Sequence, residues 1–315
     1  MAPAEDDISI EEKRVYAGTA GRTDAFVATG SGVVRVALSA DKVGAFDMVA
    51  RDAARDVAVL PRDDGPDLVG IATAEGLRVA KVGDEPKFGA PAGEPAVAAG
   101  VHDGAFLVAS EEGALDRMSV EVIDGRPTAT VDSRVGTVST PRAIDGPLIA
   151  AEDGVYRVTG GGGTGADGYD VVSVGLDDAR DVAGSGMPLA ATGSGLYWLG
   201  NGWMTALTGT ATAVAADGDG HAMAVVDGDL WTRDGDEPNG EHERERGQET
   251  DGWDSEDWRA ADLPVDEEAL ALGYGPGVSV AVTAAGTLCV DAGDGWRHQV
   301  IGVRDVAGVA LALVE

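Results

Sequence analysis

The 315-residue chain holds a single cysteine, Cys289, and only four lysines: Lys13, Lys42, Lys81 and Lys87. One thiol leaves no disulfide framework and no thiolate metal cluster. Aromatic residues make up 5 % of the chain, so large rings cannot dominate the core. The longest apolar run, VAGVALALV (306–314), is far shorter than the roughly 20 residues a membrane-spanning helix needs. The opening MAPAEDDISIEEK carries acids where a secretion signal has an apolar stretch. Helical patterning is scarce too, because no window sustains a capped i, i+3, i+4, i+7 stripe. These absences together predict a soluble, cytoplasmic, helix-poor protein.

Acid and small residues are what the chain has in quantity. Fifty-five Asp and Glu against 23 Lys and Arg give a formal charge of −32. Such a surface repels phosphate backbones and anionic headgroups, which argues against nucleic acid and membranes as partners. The acids are spread along the chain rather than gathered in a tail. That distribution suits molar salt, where the Debye length shrinks to about 3 Å, and predicts a halophilic cytoplasm. The apolar fraction of 44 % is ample for a core, but Ala and Val supply much of it, so backbones must approach closely. Forty-seven glycines without a collagen period imply many turns.

Two stretches repeat one wording 163 residues apart: ATGSGVVRV (28–36) and ATGSGLYWL (191–199). Weaker copies begin at Ile71, Val108, Ile149, Val225 and Ala281, each an apolar strand, a small turn with glycine and a second strand. The turn glycines are Gly32, Gly76, Gly113, Gly154, Gly195, Gly228 and Gly286. Repeats of about 40 to 45 residues with several short strands mark β-propeller blades. Small-residue words precede the hairpins or close the chain: RDVAVL, PAVAAG, TPRAI, RDVAGS, TAVAADG, EALALGYG and RDVAGV. These read as innermost strands converging on a narrow channel, and GAFDMVA, YDVVSVGL, WMTALTG and WRHQVIG read as outer strands.

The expected fold is all-β: a seven-bladed propeller of four-stranded antiparallel blades, closed by pairing of the N- and C-terminal strands. Residues 1–13 are expected to be an acidic tail and 14–315 a single propeller domain. Two insertions, TGGGGTGADGYD (159–170) and the acidic stretch 233–258, fall between third and outer strands; the second, taken as 234–257, is expected to be a solvated loop. VYAGTAG, ATGSGLYW and DAGDGWRHQV are similar to strand and turn wording of Asp-box and sialidase-like propellers. Over nearly its full length the chain resembles a family of haloarchaeal seven-bladed propellers. The Asp-box likeness retains Asp291, Gly295 and Trp296 without the family's serine, so it implies the fold and transfers no catalytic residue.

No cofactor or metal is expected. GTGADG (163–168) matches a dinucleotide motif in letters but is followed by a strand rather than a helix. His102, His221, His242 and His298 lie in separate blades at no ligand spacing, and the Asp-Gly pairs are those of tight hairpins. The candidate binding site is the recurrent Arg-Asp of the inner strands: Arg55-Asp56, Arg180-Asp181 and Arg304-Asp305, with Arg142 in the same place in TPRAI. A ring of guanidinium forks at one channel mouth would bind carboxylate or phosphate. The competing structural reading has each Arg bridging to the next blade. Five tyrosines (Tyr16, Tyr156, Tyr169, Tyr197, Tyr274) offer no nucleophile–carboxylate pair at the inner strands. The expectation is a monomeric, non-catalytic scaffold that takes a protein partner or a small anion; the alternative is a sialidase-like hydrolase or lyase acting on a small anion.

Overall fold

In the computed structural model, residues 22–39, 42–160, 168–235 and 253–314 are described. The ATGSG wording has a local cause. Thr29 Oγ1 donates to the Gly32 carbonyl at 2.8 Å and accepts from Ser31 N at 3.2 Å. Thr192 repeats both contacts with Gly195 O, at 3.0 Å, and Ser194 N, at 3.1 Å. The threonine thus satisfies the hairpin's own backbone groups. Glycine follows because the outer strand crosses directly behind the turn. A Cβ on Gly195, whose φ is not left-handed, would lie 2.6 Å from the Leu207 carbonyl oxygen. Close backbone approach, more than turn conformation, is what demands glycine at this position.

Seven such hairpins form seven sheets. The first holds β1 (Arg22–Thr29), β2 (Gly32–Ser39) and β3 (Lys42–Ala50); the second, β4 (Ala54–Leu60), β5 (Leu68–Thr73) and β6 (Gly76–Lys81). The third holds β7 (Ala96–His102), β8 (Ala105–Ser110), β9 (Ala114–Ile123) and β10 (Arg126–Thr137). The fourth follows with β11 (Pro141–Asp145), β12 (Leu148–Ala151), β13 (Gly154–Gly160) and β14 (Tyr169–Gly175). The fifth is β15 (Ala179–Ala183), β16 (Leu189–Thr192), β17 (Gly195–Leu199) and β18 (Trp203–Thr208). The sixth comprises β19 (Ala211–Ala216), β20 (Ala222–Val226), β21 (Asp229–Arg233) and β22 (Arg259–Ala260). The seventh comprises β23 (Ala269–Gly275), β24 (Val278–Thr283), β25 (Thr287–Asp291) and β26 (Arg297–Val300). The last strand, β27 (Val306–Val314), returns to β1 antiparallel, with Arg22 opposite Val314, and closes the ring.

The architecture is the seven-bladed propeller read from the repeat, and each of the seven small-residue words overlaps an innermost strand, although Arg304 and Asp305 of the last word precede β27. The second blade departs from four strands. Its outer position is taken by the irregular segment 82–95, which touches β6 through a Leu77–Ala92 bridge. Pro86, Pro91 and Pro95 remove the N–H donors that a strand there would need. Asp103-Gly104, Asp124-Gly125 and Asp227-Gly228 all have positive φ at both residues, the geometry of tight two-residue hairpin turns. Among the described residues no helix is long and apolar enough to cross a membrane.

The core is not one cluster but seven, each between adjacent blades. Ala and Val suit this geometry because neighbouring sheets meet at small side chains near the axis. Where a large ring intrudes, its neighbour is glycine: a Cβ on Gly70 would lie 2.6 Å from Phe106.

Residues 1–13 and most of the acidic insertion, 236–252, lie outside the described residues. The insertion's last residues are not solvated as expected. Trp253 and Trp258 are buried between blades five and six, edge to face at 6.4 Å, and the Arg233 guanidinium sits 4.1 Å from the Trp253 ring centre. Two indoles bury enough apolar surface to outweigh the acidic character of their surroundings.

Candidate functional site

All seven inner strands line one axial cavity of about 410 Å³. Each strand begins with an irregularity that skips one residue in pairing: Arg55, Val97, Arg142, Arg180, Thr212, Leu270 and Ala307. Such a bulge re-aims the extra side chain. In three blades it delivers an arginine to the mouth of the cavity, on the face shared by the turns between second and third strands.

The guanidinium groups do not point freely into solvent. Arg55 Nη1 donates to the Ala96 carbonyl at 3.3 Å and pairs with the Glu111 carboxylate. Arg142 Nη1 donates to the Ala179 carbonyl at 3.1 Å and to Asp178 Oδ1 at 2.6 Å. Ala96 and Ala179 are the first residues of the next blade's inner strand, so both arginines tie one blade to the following one. Arg180 Nη2 reaches Asp178 Oδ2 at 3.3 Å. Bonding to Arg142 holds Asp178 below the usual carboxylate range. The three arginine side chains keep 37 %, 31 % and 34 % of their surface exposed, so each retains an accessible face.

The aspartates turn sideways. Asp56 accepts from Val57 N at 2.8 Å and from Ala99 N, in the next blade, at 2.9 Å. Asp181 accepts from Val182 N and from Val214 N, again one blade on, both at 2.9 Å. Burial pushes Asp56 and Asp181 up to about 7, against the pull of those N–H donors. The charge of Asp145 raises both further. Asp145 itself is shifted upward by burial, although it accepts from Gly184 N at 2.7 Å.

Arg304 and Asp305 are not part of this constellation. Matching words misplaces them, because Val306, rather than the Val303 that precedes Arg304, pairs with Thr29 as Ala54 and Ala179 pair with Thr73 and Thr192. Ala307 therefore fills the arginine position and Gly308 the aspartate position. A Cβ on Gly308 would lie 2.9 Å from Asp56 Oδ1, so the neighbouring blade's carboxylate fills the space left there. Asp305 instead gives its carbonyl to Gly30 N at 3.0 Å, and Arg304 lines a rim groove with Phe46 and Met48.

Two channel residues escaped the sequence reading. Asp145 ends the word TPRAID, just beyond the segment recognised as a repeat. Tyr274 stands on inner strand β23 and lines the cavity; burial pushes its hydroxyl well above the ordinary value. The alternating character of EALALGYG was its available signal.

The remaining candidates are dispersed. His221 Nδ1 lies 2.6 Å from Asp217 Oδ2 in a turn on the opposite face, and His102 stacks edge-on against Tyr169 at 6.5 Å. Tyr156 and Tyr197 bond to Asp153 and Ser194 in their own turns, and His298 lies on outer strand β26. Tyr16, His242 and all but the last residue of GTGADG lie outside the described residues.

A family model described as Beta-prop_HVO_0234-like, beta propeller, matches residues 9–312. Comparison with curated proteins finds no match. Among solved structures, YCF48 bound to D1 peptide is similar at 14 % identity and a TM-score of 0.53, covering 93 % of this chain and 97 % of that one. Sqt1 of Saccharomyces cerevisiae is similar at 13 % identity and a TM-score of 0.50, covering 82 % of this chain and 78 % of the other. Apo AztD from Citrobacter koseri aligns at 15 % identity and a TM-score of 0.48, with 91 % and 84 % covered.

Proposed function

The chain belongs to the HVO_0234-like beta-propeller family, and from that premise we propose that it is a non-catalytic binding propeller of a halophilic cytoplasm. Its ligand is an acidic segment of a protein partner, taken at the channel mouth. One observation carries this reading: three partly exposed arginines, each placed by the same strand irregularity, stand on one face of a chain with 32 excess negative charges. Because Arg55 and Arg142 are braced against the next blade, they are pre-organised, and an incoming carboxylate meets forks that lose little freedom on binding. The D1 peptide is a ligand of YCF48, and it suits this reading only as an example of the fold's use.

The test replaces Arg55, Arg142 and Arg180 with Gln singly and together, then measures partner recovery in molar salt beside the melting temperature. Loss of recovery in variants that still melt within a few degrees of the parent supports the reading. Undiminished recovery with the triple variant contradicts it.

A second reading is favoured by a different observation. Asp56 and Asp181, pushed up to about 7, line the same cavity as the arginines, a pair suited to proton transfer near neutral pH. A sialidase-like hydrolase or lyase would use them on a small anionic substrate. Turnover of an anionic aryl glycoside that disappears in Asp56→Asn would support this alternative over the first reading.

A further inference from the structure

One patch on the outer edge of blade two is an exception to the chain's acidity. A cavity of about 560 Å³ opens where the tip of the long β9–β10 hairpin leans over the irregular segment of blade two. Its wall contains Arg78, Lys81, Lys87 and Arg126, with Phe88 and Pro127 on its apolar side. Two of the four lysines in the whole chain meet here. Glu85 is the one acid on the wall, and its 3.7 Å pair with Lys87 is fully in solvent, too exposed to hold either group.

The cations differ in how they are held. Arg78 is fixed: its Nε donates to the Gly89 carbonyl at 2.9 Å and its Nη1 pairs with Asp52. Lys81, at the end of β6, and Arg126, at the start of β10, make no ion pair or side-chain hydrogen bond among the described residues. Lys42, Arg51, Arg62, Arg157 and Arg304 also pair with no carboxylate among the described residues, but of these unpaired cations only Lys81 and Arg126 share this cavity's wall. Arg22, Arg35, Arg55, Arg117, Arg134, Arg142, Arg180 and Arg259 all pair with carboxylates. With acids in more than twofold excess, two neighbouring unpaired cations facing one concavity are a specific arrangement. The walls are also backbone-tight: a Cβ on Gly89 would lie 2.9 Å from the Pro127 carbonyl, so hairpin and segment approach too closely for any side chain to intervene.

We propose that this cavity binds a compact small molecule carrying two or more phosphate groups. Its volume lies in the range of small-ligand sites. Point-charge lysines together with a fixed and a free arginine fork suit phosphate oxygens. A multiply charged anion is required, since a single carboxylate would compete poorly with the salt that screens exposed charges. None of its wall residues lines the axial channel, so it is independent of the function proposed above.

The full-length chain is titrated with pyrophosphate by calorimetry, at low and at molar potassium chloride, with circular dichroism recorded on each sample. Citrate and hexaglutamate are titrated in parallel. Pyrophosphate is expected to bind, more weakly at high salt, and to lose roughly tenfold or more in affinity in Lys81→Gln and in Arg126→Gln at an unchanged melting temperature. Arg55→Gln, in the separate axial channel, leaves it unaltered. Absence of pyrophosphate binding at both salts, affinity indifferent to Lys81→Gln and Arg126→Gln, or tighter binding of hexaglutamate than of pyrophosphate overturns the proposal.

Discussion

The chemistry of the channel is settled by which neighbour each charged group faces. Asp56 and Asp181 each span two blades through one carboxylate, and burial raises both to about 7. A free carboxyl in the unfolded chain titrates near 4, so between about pH 4 and 7 the native state holds more protons than the unfolded one. Their stabilisation is therefore complete below pH 4 and is lost as pH rises through 7. The melting temperature is expected to fall from pH 5 to pH 8. Asp56→Asn should lower it throughout, because its amide cannot accept both backbone bonds, yet flatten that pH slope; a slope equal to the parent's would contradict the assignment. Arg142→Ala removes a carboxylate pair and a carbonyl bond across blades. Urea unfolding should register a loss of about 1 kcal/mol, the partly exposed position limiting the effect. The repeated Arg-Asp words identified Arg55, Asp56, Arg142, Arg180 and Asp181 as channel residues. They failed at Arg304-Asp305 because wording carries no register, and only the pairing of Val306 with Thr29 reveals the three-residue offset.

At the scale of strands and turns, small-residue words located the inner strands because converging sheets tolerate little else near the axis. The hairpin glycines were legible as turn residues, but their dependence on the outer strand was not, since that contact joins residues far apart in sequence. Gly195→Ala places a methyl carbon 2.6 Å from the Leu207 carbonyl. It is expected to cost about 1–3 kcal/mol in chemical unfolding, as overpacking does; a neutral result would mean the outer strand is free to move. The anchoring of the acidic insertion was hidden for the opposite reason: composition averaged over the stretch drowns two tryptophans in carboxylates. Trp253→Ala should lower stability by about 3 kcal/mol, whereas removing residues 236–252 while sparing both tryptophans should leave the melting temperature within a few degrees. Equal losses from both changes would assign the stability to the loop rather than to the indoles.

On the scale of the whole molecule, a ring of seven inter-blade cores makes every blade depend on two neighbours, and β27 with β1 supplies the seam that joins the ends. A charge of −32 on 315 residues opposes that closure by self-repulsion. Added potassium chloride should raise the melting temperature as the Debye length contracts to about 3 Å near 1 M; a melting temperature that falls or stays level over that range would remove the case for a salt-adapted surface. The functional account rests on one face of the ring doing the binding. Its most direct test places a photo-crosslinking residue in the cell at Thr212, beside the channel mouth, or at exposed Asp294, in a turn on the opposite face. The account predicts a protein adduct from position 212 and none from 294. Adducts confined to 294, or an absence of adducts at both positions, would contradict it.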